Sequence, residues 1–194
     1  MAQNKLTIPG ACIIGGSAGS LDILLEIIDA IPPDCKYIFI IIIHRKKDGE
    51  SVLRSLLQAR TKLPVIEVED KDPILPGRIY LATPDYHLLL EKESYFSLDY
   101  SEKVHFSRPS IDVSFESAAL CCGEATVGIL LSGANEDGAS GLKLIQQCGG
   151  KTIVQDPDFS DASYMPQKAL DIIKPDAILR PGNVKEVLLP FLQY

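Results

Sequence analysis

Three polar residues in this sequence have the side chains that acyl transfer needs: Ser17, His44 and Asp137. A serine hydroxyl supplies a nucleophile, an imidazole removes its proton, and a carboxylate orients the imidazole and stabilises its cation. Each of the three follows an apolar run. Ser17 lies in ACIIGGSAGS, His44 ends KYIFIIIIH, and Asp137 comes shortly after TVGILLSG. Their separation along the chain does not matter if the three runs are neighbouring strands, and periodicity does not reveal whether they are. Taken singly, each has a plainer reading. Ser17 also suits a tight turn or a helix N-cap. His44 also suits a hydrogen-bonded core histidine, and Asp137 a helix cap, with Glu136 beside it as a rival carboxylate.

The elements that must position these residues can be read from the pattern. Cys12–Ile14 is a short apolar strand, Gly15 to Gly19 a tight turn, and Leu21, Leu24, Leu25, Ile27 and Ile28 the apolar face of a helix. A helix starting just behind Ser17 points free N–H groups at whatever approaches. The unalternating run Tyr37–Ile43 predicts a strand buried on both faces, and therefore a parallel sheet covered by helices on each side. Ser51–Arg60 reads as a helix with Val52, Leu53, Leu56 and Leu57 on its apolar face, and Pro64–Glu69 as a third strand. From Ile74 to Tyr100 short alternating segments separated by Pro, Gly and charges predict antiparallel hairpins. Helical spacing returns at Ser110, with Ile111, Val113, Phe115, Ala118 and Ala119 facing the core. A strand follows over TVGILLSG, then a helix around Leu142, Leu144 and Ile145. The chain closes with a strand at Lys151–Gln155, a helix at Pro166–Ile173, a strand at Ala177–Leu179 and a helix at Val184–Leu192. This alternation predicts an α/β fold with a doubly wound, mostly parallel sheet in three Rossmann-like layers, interrupted by a β-hairpin insertion. Functional residues of such a sheet gather beyond the carboxyl ends of its strands, where Ser17, His44 and Asp137 fall.

At 194 residues, 46% apolar and 23% charged, the chain has the size and composition of one globular domain. A net charge of −7 argues against duplex nucleic acid or an anionic membrane as the main partner. Arg45, Lys46 and Lys47 form a local basic cluster that reads as a solvated loop. The five cysteines, odd in number and without CxxC spacing, read as reduced core residues. The N-terminus lacks a basic-then-apolar signal pattern, and Tyr37–Ile43 is too short to span a bilayer. A soluble cytoplasmic protein without membrane insertion is expected.

The remaining histidines fit the chemistry less well. His87 and His105 belong to the hairpin region, where His87 reads as structural and His105 as exposed. No pair of His, Cys or carboxylates shows metal-ligand spacing, so neither a metal nor another cofactor is expected. GGSAGS lacks the GxGxxG order of a dinucleotide-binding turn, and the GK[ST] of a P-loop is missing. Gly15-x-Ser17-x-Gly19 matches the nucleophile elbow of α/β-hydrolases, but those enzymes run Ser, acid, His, whereas the order here is Ser, His, Asp. The same chemistry sits on another fold.

Taken together, these segments resemble the catalytic domain of the protein-glutamate methylesterases of bacterial chemotaxis, the CheB family. IIGGSAGS looks like the family's strand and GxSxGG turn, and IIIIH like its histidine strand. LPGRIYLATPDYHL, RPSIDVSFESAA and ILLSGANEDGASGL resemble its PG/AP/DxH segment, its RPSxDxxF motif and its acid loop. Tyr164, Met165 and Pro166 with Ala169 resemble its GMPxxA element. The resemblance implies one methylesterase catalytic domain over 1–194 without the family's receiver domain, with Ser17 as nucleophile, His44 as base and Asp137 as acid. It implies hydrolysis of γ-glutamyl methyl esters on the cytoplasmic helices of methylated chemoreceptors, with glutamine deamidation as a second activity and a separate regulatory protein as a further partner. Backbone N–H groups of Ala18 and Ala134 become the expected oxyanion donors, and Arg108 and Met165 expected substrate contacts. The chain departs from the family's pattern at Ser20, at Arg45 and Lys46, and at Ala134 and Asn135. The changes at Ala134 and Asn135, with the missing receiver domain, motivate a rival reading: a non-catalytic receptor- or signalling-partner-binding module on the same scaffold.

Overall fold

A computed structural model describes residues 10–45 and 52–192. The N-terminal segment 1–9, Lys46 and Lys47 of the basic cluster, and Ser51 at the start of the expected second helix lie outside the described residues. Strand β1 (Ala11–Gly16) is buried along its whole length. It pairs in parallel with β2 (Ile38–Ile43) on one side and β7 (Thr126–Leu130) on the other. Parallel pairing extends outward through β4 (Arg78–Leu81) to β3 (Val65–Glu67), and through β8 (Lys151–Gln155) to β9 (Ala177–Leu179). The order across the sheet is β3-β4-β2-β1-β7-β8-β9. The chain winds outward from β1 in one direction and returns to its other side at β7, which opens a crevice at the carboxyl ends of these two strands.

Successive strand side chains point to opposite faces, so an apolar run without alternation feeds two cores at once. Ile13, Ile40, Ile42, Leu130 and Val154 pack on one side beneath α3 (Ile111–Cys122), α4 (Ala139–Gln147) and α5 (Tyr164–Ile172). Ile14, Phe39, Ile41, Ile129 and Ile153 pack on the other beneath α1 (Leu21–Ala30) and α6 (Val184–Leu188). Burying each such side chain contributes roughly 1.5–3 kcal/mol.

The middle of the chain departs from the hairpin expectation. Arg78–Leu81 is a parallel strand inserted between β3 and β2, with Ile79, Tyr80 and Leu81 buried. The antiparallel hairpin is confined to β5 (His87–Leu90) and β6 (Phe96–Asp99). Helix α2 (Val52–Gln58) buries Leu57 alone, and Val52 is exposed. In α3, Asp112 and Ser114 are buried while Val113 is half-buried, because the site described below takes the first turn. The closing helix gives way to a 3-10 turn over Leu189–Leu192.

One close approach ties the sheet to the site. A Cβ on Gly15 would lie 2.3 Å from Ile111 Cγ2 and 3.1 Å from Phe115 Cζ, so only glycine lets the first turn of α3 settle on β1. Gly15→Ala is expected to destabilise the fold by about 1–3 kcal/mol, as overpacking of a filled core does. Urea denaturation of the two proteins measures it.

Candidate active site

Ser17 directly follows β1. Its N–H donates to the Ser132 carbonyl (2.9 Å), which fixes the turn against the end of β7. The turn reverses at Gly19, whose φ of +72° and whose missing Cβ, which would meet Asp161 Cβ at 2.4 Å, both require glycine. Ser20 then caps α1, and its buried hydroxyl donates to the Ser17 carbonyl at 2.7 Å. The Ser132 hydroxyl donates to the Ala18 carbonyl (2.8 Å) and accepts from the Ala162 N–H (2.9 Å), joining this turn to the loop before α5. Among the described residues, no acceptor is found for the N–H of Ala18 or of Ala134.

His44 continues the parallel ladder past β2, its N–H donating to the Gly16 carbonyl at 3.2 Å. Since Gly16 is in register with Ile43, Ser17 and His44 stand side by side at one strand spacing, about 4.8 Å between strand axes. Among the described residues, no hydrogen bond joins the Ser17 hydroxyl to His44. His44 Nε2 lies 2.8 Å from Asp137 Oδ2, and Nδ1 lies 3.3 Å from the Ser107 hydroxyl. An ionised carboxylate only accepts, so Nε2 carries the proton and Nδ1 the lone pair of the neutral ring.

Asp137 is fully buried, and the N-terminus of α3 makes that tolerable. The N–H groups of Ile111 (2.7 Å) and Asp112 (2.9 Å) and the hydroxyl of the N-cap Ser110 (2.7 Å) all donate to it. Burial pushes its carboxyl up, but the bonds from His44, Asp112, Ile111 and Ser110 together hold it below the ordinary carboxylate range. His87 supports the cap from behind. Its Nε2 donates to the Glu102 carbonyl (2.9 Å) and its Nδ1 accepts from the Ser110 N–H (3.1 Å), so the histidine read as structural orders the acid's donors.

A second acid shares this neighbourhood. Asp112 accepts from the Gly141 N–H at 2.7 Å and faces His105 Nε2 at 3.3 Å. Burial is the main cause that pushes its carboxyl up to about 6, with the nearby Asp137 charge adding to it. A carboxyl raised in the folded state favours folding when protonated, and that contribution disappears as pH rises through about 6. The stability of Asp112→Asn relative to the wild type should therefore increase from pH 5 to pH 7.5, measured by urea denaturation at both pH values.

His105, Asp112 and Asp137 bring potential ligand atoms within 4.8 Å of one another, a grouping their spacing in sequence did not announce. The donor set does not suit a cation. A carboxylate offers about four lone pairs, and the four bonds to Asp137 already occupy them.

The sequence matches the family model described as CheB methylesterase over residues 12–188. The chain belongs to the CheB methylesterase family. The CheB methylesterase catalytic domain of Thermotoga maritima superposes with a TM-score of 0.88 at 26% identity, over 94% of this chain and 97% of that one. A Leptospira interrogans relative, named provisionally as a protein-glutamate methylesterase/protein-glutamine glutaminase, is 37% identical over 92% of this chain and 93% of its own length. The protein-glutamate methylesterase/protein-glutamine glutaminase of Nitrosomonas europaea is 34% identical over 86% of this chain. This chain spans about half of that longer relative, 47% of its length.

Within this CheB-family site, three of the departures noted in the sequence, Ser20, Arg45 and Asn135, have local partners. Ser20 has φ −89°, where glycine's freedom is not needed, and its hydroxyl ties down the serine turn. Asn135 braces the acid loop. Its Oδ1 accepts from the Asp137 N–H (3.3 Å), and its Nδ2 donates to the His105 carbonyl (3.2 Å) and the Ser107 hydroxyl (3.3 Å). With Asn135 serving as a brace and the relatives named as methylesterases, the catalytic reading is supported over the non-catalytic one. Arg45 is half-buried and paired with Glu67 at 2.6 Å, not a free basic residue of the rim.

The two expected substrate contacts are both packed within the chain. Met165 is fully buried beneath Gly133, where a Cβ would meet its Cε at 2.4 Å, so it shapes the loop. Arg108 is engaged within the chain: Nε and one terminal nitrogen donate to Asp85 (3.2 and 2.8 Å), and the other donates to the Tyr100 and Ser101 carbonyls (3.2 and 2.7 Å). Its guanidinium stacks on the Tyr100 ring at 3.8 Å, clamping the hairpin to the site. His105, expected to be exposed, is only one-third exposed and lies between Asp112 and Glu136. Sequence reasoning missed Ser107 as a site residue and gave Ser110 and Asn135, which it placed near the cleft and in the acid loop, no hydrogen-bonding role. Ser110, a serine directly before helical spacing, carried an N-cap signal; Asn135 stood out only as a departure from the family's acid loop, and Ser107 carried no signal.

Proposed function

We propose that Ser17, His44 and Asp137 hydrolyse γ-glutamyl methyl esters on the cytoplasmic helices of methylated chemoreceptors, releasing methanol, and that the chain acts in the cytoplasm. The observation that carries the reading is the placement of Ser17 and His44 on adjacent strand ends, with His44 anchored through Nε2 to a buried, fully hydrogen-bonded carboxylate. That anchorage leaves Nδ1 as the base. As the Ser17 oxygen attacks the γ-carbonyl carbon, its proton passes to Nδ1, and the carbonyl electrons collect on an oxygen that accepts from the Ala18 and Ala134 N–H groups. The intermediate collapses with cleavage of the bond to the methoxy oxygen, which leaves as methanol with the proton from Nδ1. Water, deprotonated by the same nitrogen, then cleaves the acyl-serine to give glutamate and regenerate Ser17. A glutamine amide follows the same path and loses ammonia, the glutaminase activity named for the Nitrosomonas relative. Asp137 keeps the proton on Nε2 throughout and stabilises the imidazolium.

No helix among the described residues is long and apolar enough to cross a membrane. The decisive assay is methanol release from a methylated receptor cytoplasmic fragment. Release by the wild type that is lost in Ser17→Ala supports the reading, and equal background from both overturns it.

A further inference from the structure

Phe106 is 98% exposed, more than any other large apolar side chain among the described residues. It is also held there. Val104 and Ser107 pair through N–H···O bonds of 3.2 and 2.8 Å, which closes a two-residue turn over His105 and Phe106. Both central residues are left-handed, with φ of +47° and +60°, a conformation that favours Asn and Gly and disfavours a bulky aromatic. The turn is braced on the site. Asn135 Nδ2 donates to the His105 carbonyl and the Ser107 hydroxyl, the His105 ring lies between Asp112 and Glu136, and Ser107 Oγ is 3.3 Å from His44 Nδ1. An aromatic ring is therefore projected into water from a strained, tethered turn, one residue from the hydroxyl that touches the candidate base. Nothing among the described residues rewards that arrangement, but an external apolar surface would. A ring fixed in advance also loses little freedom on docking.

We propose that Phe106 anchors the protein substrate: it docks against an apolar side chain of the helix whose glutamyl ester enters beside Ser17. The inference rests on the esterase reading above. A helix that offers one side chain to the cleft presents residues three or four positions away on the same face, about 5–6 Å from it, and the next turn about 5.4 Å further along. A neighbouring apolar residue of that helix is thus the partner expected for a ring borne one residue from Ser107, the hydroxyl beside the base. A small ester lacks any such residue, so Phe106 discriminates between substrates.

The test uses the full chain with Phe106→Asn, which tolerates the left-handed turn while removing the ring, and Phe106→Leu, which keeps an apolar anchor. The values of kcat/KM are compared for a methylated receptor cytoplasmic fragment and for p-nitrophenyl acetate. The ratio of the two constants should fall on the order of tenfold or more in Phe106→Asn, mainly through KM for the fragment, and recover largely in Phe106→Leu. An unchanged ratio, or a parallel fall in both activities, overturns the anchor. So does sedimentation showing that Phe106→Asn splits a dimer, since the ring then belongs to an interface between copies. Fragment binding measured in a Ser17→Ala background separates this inference from the esterase reading. Binding weakened by Phe106→Asn without methanol release by the wild type supports the anchor and sinks the hydrolase. Ser17-dependent release with an unchanged ratio sinks the anchor alone. Neither binding nor release sinks both.

Discussion

Ser17→Ala is expected to lower methanol release from a methylated receptor fragment by about 10,000- to 1,000,000-fold in kcat, with little change in stability. Removing the nucleophile of a triad abolishes the covalent route, and what remains comes from binding and oxyanion stabilisation. Stability should hold because the groups that shape the turn are the Ser17 N–H and carbonyl, bound to Ser132 and Ser20, and alanine keeps both. His44→Ala should fall to a similar floor, and Ser17→Ala/His44→Ala should be no worse than either, since the two act as one unit. Single-turnover methanol assays with urea denaturation as the companion measurement check all three. Residual activity near the wild-type level in Ser17→Ala would place the nucleophile elsewhere, and Ser107, the other hydroxyl beside the imidazole, would be the next residue to replace.

Replacing Asp137 should have the largest effect on stability. In Asp137→Ala the Ser110 hydroxyl, the Ile111 and Asp112 N–H groups and His44 Nε2 lose a common acceptor in a buried place. With about 1–3 kcal/mol for each unsatisfied buried donor and partial relaxation, a loss of about 3–5 kcal/mol is expected. Asp137→Asn keeps the volume but turns an acceptor into a donor. Its amide N–H facing Nε2 would favour the tautomer with the proton on Nδ1, which is the wrong nitrogen for accepting from Ser17, and activity should drop about 10,000-fold. The pH dependence has a definite sign. Because the native carboxyl sits below its ordinary range, the stability it contributes is present above the unfolded value and is lost as pH falls through the native one. The gap between wild type and Asp137→Asn should therefore be widest near neutrality and close under acid, as read by urea midpoints across the pH range.

These predictions depend on different layers of information. The serine turn, the histidine strand and the acid loop were legible in the sequence because each combines a local signal, an apolar run or a Gly-rich turn, with a reactive side chain at its end. Both faces of the sheet being covered followed from the unalternating run Tyr37–Ile43, and the parallel α/β class from its neighbours. Arg78–Leu81 was not legible as a central strand, because four residues bounded by Gly and Pro look the same whether they pair parallel or antiparallel. Main-chain pairing uses groups that every residue has. The packing of Met165 under Gly133 and the bonding of Arg108 to Asp85 were not legible for a related reason: a motif says that a residue matters, but only packing says which way it faces.

The sequence alone determined which groups are available for acyl transfer and that they gather at strand ends. Tertiary structure decided how they are held. The reversal of strand order sets Ser17 between His44 and the end of β7, and the first turn of α3, far along the chain, stabilises the Asp137 charge. Asn135 joins the acid loop to the turn that projects Phe106. These contacts are hydrogen bonds between segments distant in sequence. Their geometry depends on strand order and helix placement, so no local pattern of residue types encodes it.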